Sequence, residues 1–324
     1  MTGTALETVR TGSAISTELA GLADSARDYA ANSRAVNTTR AYGFAWASFT
    51  TWCDQHGVEA MPATPGAVAL FLTSRAGSGA KVATLRLALA AISAVHREAG
   101  QAFDAKAPGL VQVWSGIRRQ LGSRPTRKAA VMKDDLKAML ANVAPTVTGK
   151  RDAALMLIGF GAALRRSELV ALDVEDVTVC REGLKVRVKR SKTDQEAAGT
   201  EIAIARGRTL ATDPVSAFEA WIAAAGITSG PVFRGIHRSG LICSERLTDR
   251  SVADIVKRLA EAAGLDAKRF SGHSLRAGLA TSAAAAGATL TAIMTQTRHR
   301  SVDVAKTYVR DSEMWKDNVS GLVL

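Results

Sequence analysis

The 324-residue chain is poor in cysteine, tyrosine and acidic side chains. Each scarcity closes off a class of protein. The three cysteines, Cys53, Cys180 and Cys243, lie far apart and form no CxxC pair. An odd, scattered set suits a reducing compartment rather than a disulfide framework. No apolar run approaches the roughly 18 residues of a membrane span. The Ala-rich stretch 279–288 is broken by Thr, Ser and Gly. The opening MTGTALETVR has no basic segment followed by an apolar one, so no signal peptide is read. The chain reads as soluble and cytoplasmic.

Signatures of several common chemistries are missing too. Gly77-Ser-Gly-Ala-Lys81-Val82 lacks the GK[ST] ending of a phosphate-binding loop, so ATP use is unsupported. The histidines at 56, 96, 237, 273 and 299 show neither HExxH nor paired-ligand spacing, so no metal site is expected. No GxSxG nucleophile elbow is present.

Acid is scarce relative to base. Lys and Arg number 42 against 30 Asp and Glu, a formal net charge of +12 on a chain that is 47% hydrophobic. Such a chain folds, and it meets a polyanion: DNA, RNA or an anionic membrane. Splitting at Ala130 leaves 14 basic and 8 acidic residues before the cut and 28 and 22 after it, so each half carries +6. Between Ala105 and Lys133 there are seven basic residues and no acidic one: Lys106, Arg118, Arg119, Arg124, Arg127, Lys128 and Lys133. Gly122, Ser123 and Pro125 mark part of that run as a linker, and its charge suits a strap along a phosphate backbone.

The length implies two domains. Residues 1–21 read as a loose tail. Residues 22–122 read as helices. Asn37 caps one carrying Tyr42, Trp46, Phe49 and Cys53 and ending at Gly57. Thr64-Pro65 opens a second, a third spans about 81–99, and Pro108 opens a fourth closed by Gly122. After a linker at 123–133, residues 134–324 are expected to be mainly helical with one small antiparallel sheet. Helices are placed at 134–142, 151–164, 166–171, 213–225, 249–263, 274–286, 289–297 and 301–310. Strand-like runs fall near 176–181, 184–190 and 200–205, where Leu184, Val186 and Val188 alternate with Lys185, Arg187 and Lys189.

Four short motifs stand out in the second part. Leu164-Arg165-Arg166-Ser-Glu168 sets adjacent arginines at a helix junction. Lys192 follows a strand in Arg190-Ser-Lys-Thr-Asp194. Ser271-Gly-His273-Ser-Leu-Arg276 places His and Arg at i, i+3, on one face of a helical turn. Arg298-His299-Arg300 precedes Tyr308 by nine residues, counting from His299. Singly, each has an ordinary structural explanation. Their conjunction in this order does not.

In order and spacing these residues resemble the active-site signature of the tyrosine recombinase (phage integrase) family, in particular its Cre-type simple members. The resemblance covers roughly residues 25–324. Asn37-Thr-Thr-Arg40-Ala-Tyr42, Trp52-Cys53 and Ala94-Val-His96-Arg-Glu-Ala-Gly100 look like parts of the family's helical core-binding domain. The chain departs from the pattern twice: Ala163 and Arg298 stand where many members have glycine.

The resemblance implies a mainly α fold with a small antiparallel β-sheet, a helical core-binding domain and a mixed α/β catalytic domain. It implies Arg165 and Arg276 clamping a phosphodiester, with His299 adding a hydrogen bond. Tyr308 attacks phosphorus to give a 3′-phosphotyrosyl link, His273 takes the phenolic proton, Lys192 protonates the departing 5′-oxygen, and Glu168 braces Arg165. No cofactor, metal or ATP enters. Tyr29 and Tyr42 both fall in the N-terminal part, which leaves Tyr308 as the nucleophile by elimination. Double-stranded DNA with an inverted-repeat site is the implied partner. The implied contacts come from Arg40, Lys81, Thr84, Arg86, Arg118, Arg119, Arg124, Arg127, Lys128 and the base-reading Arg250. The apolar tail 311–324 implies exchange between protomers of a DNA-bound tetramer, in a prokaryotic cytoplasm, from a plasmid, phage or chromosomal gene. A type IB topoisomerase-like activity and a silent DNA-binding protein of the same fold are the alternatives.

Overall fold

In the computed structural model, residues 17–31, 36–122, 128–189, 199–313 and 320 are described. The chain divides into two compact units, residues 1–126 and 127–324.

The first unit contains α1 (Thr17–Ala31), α2 (Val36–His56), α3 (Pro65–Gly77), α4 (Val82–Glu98) and α5 (Pro108–Leu121). α2 packs on α4, and α3 on α5, around Phe49, Cys53, Phe71, Leu72, Leu85, Ile92 and Leu110. Burying each large side chain contributes about 1.5–3 kcal/mol before entropy is set against it. Thr64 caps α3 by accepting from the Ala67 N–H at 3.2 Å, with Pro65 in the first helical position. His96, buried in α4, accepts from the Ala63 N–H at Nε2 (2.8 Å) and therefore donates from Nδ1 to the Ile92 carbonyl (2.8 Å). That pair of bonds fastens the loop before α3 to the core. Of the tail expected over 1–21, residues 1–16 lie outside the described residues, and 17–21 belong to α1 instead. The helix begins at Thr17 because Leu, Ala and Glu favour it locally, although Leu19, Leu22 and Tyr29 remain exposed.

The second unit is built on α7 (Val147–Gly161), whose residues 154–159 are buried almost without interruption. α6 (Lys133–Ala141) precedes it and α8 (Arg166–Ala171) follows. α9 (Pro214–Ala225), α10 (Asp249–Ala262) and α11 (His273–Ala285) pack around α7. α12 (Leu290–Thr297) and α13 (Val302–Glu313) close the chain against α11. A three-stranded antiparallel sheet runs β1 (Val177–Val179), β2 (Gly183–Val188), β3 (Thr200–Ala205). Val186 faces both Val177 and Ile202, and Leu184 and Val188 are buried beside it, as the alternation predicts.

A second sheet was not anticipated. β4 (Arg234–Ile236) and β5 (Ile242–Arg246) form a hairpin too short and too exposed to show an apolar period. Two helix ends also differ. α7 starts at Val147, capped by Thr146 Oγ1, and stops at Gly161 because Ala163 turns left-handed at φ 47°. The linker expected over 123–133 is, from Lys128 onward, laid against the second unit. Ala129 N–H donates to the Arg269 carbonyl (2.7 Å) and Val131 N–H to the Ser274 carbonyl (2.9 Å). Gly278 permits this approach: a Cβ there would stand 1.9 Å from the Val131 carbonyl oxygen.

Candidate active site

The turn that ends α7 organises the site. Gly161, Ala162 and Ala163 lead into Leu164, which is buried, and Arg165 takes the N-cap of α8 in an extended conformation. Glu168, three residues on, reaches back. Its Oε2 accepts from the Arg165 N–H at 2.9 Å and its Oε1 from Arg165 Nη1 at 2.5 Å. Both carboxylate oxygens of Glu168 thus hold Arg165. Burial alone would push the Glu168 carboxyl up, but the Arg298 and Arg165 guanidiniums and the Arg165 N–H hold it below the ordinary value.

Two further guanidiniums converge on the same turn. Arg276, 4% exposed in the first turn of α11, donates from Nη1 to the Ala163 carbonyl at 2.8 Å. Arg298 Nη2 donates to that carbonyl at 3.2 Å, to the Ala162 carbonyl at 3.4 Å and to Glu168 Oε2 at 3.1 Å. Arg276 Nη2 and Arg298 Nε and Nη1 are buried without a hydrogen-bond partner. Burial, with Arg165 and Arg298 nearby, pushes the Arg276 guanidinium down to about 10. One buried and two largely buried guanidiniums thus surround a single buried carboxylate, an arrangement short of negative charge.

The two departures from the family pattern meet here. Ala163 (φ 47°) and Arg298 (φ 56°) are the two non-glycine residues in the left-handed region among the described residues. That conformation costs a side-chain-bearing residue about 1–2 kcal/mol, which explains why glycine suits both positions. The side chain at 298 is then tied to the backbone at 163.

His299 follows Arg298. Its Nδ1 lies 2.7 Å from Thr297 Oγ1, and that hydroxyl lies 2.6 Å from the Ile293 carbonyl oxygen. A carbonyl only accepts, so the single hydroxyl proton points at Ile293 and Nδ1–H of His299 donates to Thr297. Burial, reinforced by Arg276, Arg165 and Arg298, pushes the His299 imidazole down to about 4. The neutral ring consequently carries a bare lone pair on Nε2. It stacks on Tyr308, centroids 5.4 Å apart and planes at 22°. Tyr308, half-buried in α13, packs beside Ala280 of α11 and Ile293 of α12. Gln296 Nε2 ties α12 to the Gly161 and Ala203 carbonyls at 2.8 and 3.0 Å.

Arg165, Glu168, Arg276, His299 and Tyr308 are thus brought together. His273 opens α11 and is exposed. Lys192, Arg124 and Arg127 lie outside the described residues, as does most of the tail from Met314 onward. β2 nonetheless ends in a firm anchor. Lys189 pairs with Asp176 and Asp173 at 2.8 and 3.0 Å, Arg187 with Asp176, and Arg246 with Asp173. Arg298, Thr297 and Gln296 were not singled out as functional from sequence. The one usable signal was Arg298 itself, a bulky residue where glycine is usual.

In the first unit Arg40, Lys81, Thr84, Arg86, Arg118 and Arg119 are all exposed. Thr84 and Arg86 leave α4 about 160° apart, so the helix does not present both on one face. On the second unit Arg250 is 89% exposed beside Asp254, and Lys128 Nζ donates to the Lys268 carbonyl at 2.5 Å.

Residues 130–314, which hold this cluster, match the phage integrase family. The chain belongs to that family. It is 38% identical over 291 residues to an integrase/recombinase xerD homolog from Selenomonas ruminantium, covering 88% of this chain and 85% of the relative. It is 26% identical over 288 residues to recombinase cre of Escherichia phage P1, covering 82% of each. Among solved structures, the fold is similar to the Tn1549 transposon integrase bound to transposon right end DNA. There the TM-score is 0.64 at 15% identity, over 87% of this chain and 93% of that one. Like other phage integrase family members, this chain is a tyrosine recombinase in sequence and fold. Among the described residues no three His, Cys, Asp or Glu side chains gather around a metal-sized space, and no helix is long and apolar enough to cross a membrane.

Proposed function

We propose that this chain is a site-specific DNA recombinase that cuts and rejoins strands through a covalent 3′-phosphotyrosyl link at Tyr308. The observation that carries the reading is the surplus of guanidinium over carboxylate beside Tyr308, three largely shielded arginines against Glu168. A phosphodiester supplies the missing negative charge. Arg165 and Arg276 hold its non-bridging oxygens and stabilise the charge that builds in the transition state. Tyr308 attacks phosphorus, its proton passing to His273, while Lys192 protonates the 5′-oxygen as that bond breaks. His299 donates to a non-bridging oxygen once it holds a second proton. The phosphotyrosyl bond keeps the energy of the bond broken, so rejoining needs no ATP, and the cations do the work a metal ion does elsewhere.

On this reading the substrate is duplex DNA carrying inverted repeats. The helical first unit forms the core-binding domain, and residues 134–324 the catalytic domain; of the basic linker placed at 123–133, residues 128–133 belong with the catalytic domain. The apolar segment 311–324 docks on a neighbouring protomer in a DNA-bound tetramer. The even division of the +12 charge between the halves supports a grip on DNA from both. Relatives named as recombinases support site-specific exchange over simple relaxation.

A nicked substrate that loses its 5′-hydroxyl strand on cleavage tests the proposal. The wild-type chain accumulates a covalent protein–DNA adduct on it. Tyr308→Phe binds the same DNA with unchanged affinity and forms none. Adducts that survive the substitution contradict the assignment.

A further inference from the structure

Arg298 makes two contributions of opposite sign. It occupies a left-handed backbone position that suits glycine, and it buries two donors, Nε and Nη1, with no partner. Both features oppose stability. Its third nitrogen, Nη2, takes the oxygen of Glu168 that faces away from the Arg165 side chain, together with the Ala162 and Ala163 carbonyls. Strain and unsatisfied donors concentrated in one residue beside a reacting centre mark a functional constraint rather than a packing one.

We propose that Arg298 is a positioning residue for the phosphate clamp: by holding Glu168 Oε2 and the Ala162–Ala163 turn, it sets the guanidinium of Arg165 for the scissile phosphate. This rests on the recombinase reading above. The mechanical path is short. Glu168 divides its oxygens, Oε1 to Arg165 Nη1 and Oε2 to Arg298 Nη2 and the Arg165 N–H. Arg276 hangs on the same Ala163 carbonyl as Arg298. Removing Arg298 leaves Glu168 Oε2 with the Arg165 N–H as its one remaining hydrogen-bond donor and releases the Ala162–Ala163 turn on one side, so the arginine that Glu168 orients is held less firmly. The Arg165 side chain is the group displaced, so chemistry suffers more than binding.

The test uses the full chain on the nicked substrate, with single-turnover cleavage rate, DNA affinity and melting temperature measured for wild type, Arg298→Gly and Arg298→Lys. Arg298→Gly is expected to slow cleavage roughly 10- to 100-fold, the scale of a clamp displaced by about an ångström. Its affinity stays within about threefold, and its melting temperature stays level or rises as strain is relieved. Arg298→Lys recovers part of the rate, since a point charge reaches Glu168 but lacks the fork that spans two carbonyls as well. A double-mutant cycle adds the decisive readout: in a Glu168→Gln background, Arg298→Gly costs far less than in wild type. The inference is overturned if Arg298→Gly cleaves at the wild-type rate, fails to fold, or costs the same in both backgrounds. Failure of the wild-type chain to form a Tyr308-dependent adduct overturns the recombinase reading instead, so the two failures are distinguishable.

Discussion

The Thr297 hydroxyl decides which nitrogen of His299 carries the proton. It spends its own proton on the Ile293 carbonyl at 2.6 Å and so must accept from His299 Nδ1 at 2.7 Å. Thr297→Val removes that acceptor while keeping the shape, leaving Nδ1–H unpaired. Nitrogen chemical shifts of His299 are expected to report an Nδ1–H ring in the wild type and a mixture of tautomers in the variant. Stability falls by about 1–3 kcal/mol, the cost of an orphaned buried donor. A pure Nε2–H ring in the wild type contradicts the argument.

If the cluster holds a phosphate as proposed, DNA binding depends on pH through His299. Burial and the guanidiniums of Arg276, Arg165 and Arg298 push its pKa down to about 4, so at neutral pH it is unprotonated. A phosphate placed among the arginines favours the imidazolium and raises that value. Between the two values binding takes up a proton, so affinity increases as pH falls. Calorimetry at pH 6 in two buffers of different ionisation enthalpy is expected to show proton uptake that disappears in His299→Gln. Uptake that persists in the variant assigns the proton to another group.

Without DNA, the same residue acts on stability in the opposite direction. The unfolded chain binds a proton at 6.5 that the folded chain refuses until about 4. Stability contributed by neutral His299 is therefore intact above 6.5 and lost as pH falls from 6.5 toward 4. Glu168, held below 4.5, adds a loss of the same sign at lower pH. Melting temperature across pH 7 to 4.5 is expected to fall less steeply for His299→Gln than for the wild type.

Much of this architecture is legible in the sequence because its causes are local. Thr64-Pro65 announces α3, and the alternation of Leu184, Val186 and Val188 announces β2. The order of Arg165, Arg276, His299 and Tyr308 announces the cluster they form. What the sequence hides is long-range or low in contrast. α1 shows no buried stripe among its described side chains, and β4 and β5 are too short for a period. The bond between Arg298 and Ala163 joins residues 135 positions apart, and only the shared departure from glycine hints at it.

Two glycines separate packing from propensity. At Gly278 a Cβ would meet the Val131 carbonyl oxygen at 1.9 Å, whereas at Gly116 in α5 nothing lies within 4 Å. Gly278→Ala is expected to destabilise by about 1–3 kcal/mol as residues 128–131 are pushed off α11. Gly116→Ala is expected to stabilise by about 0.5–1 kcal/mol through helix propensity. Urea unfolding of both variants checks the pair, and equal effects contradict the packing assigned to that strap.

The most direct measurement locates the DNA on the chain. Trypsin cuts after Lys306 and Arg310, so Tyr308 falls in the four-residue peptide Thr307–Arg310. After trapping on the nicked substrate and nuclease digestion, mass spectrometry is expected to find a nucleotide remnant on the Tyr308 phenol of that peptide. A remnant on any other residue, or cleavage with the peptide unmodified, contradicts the account.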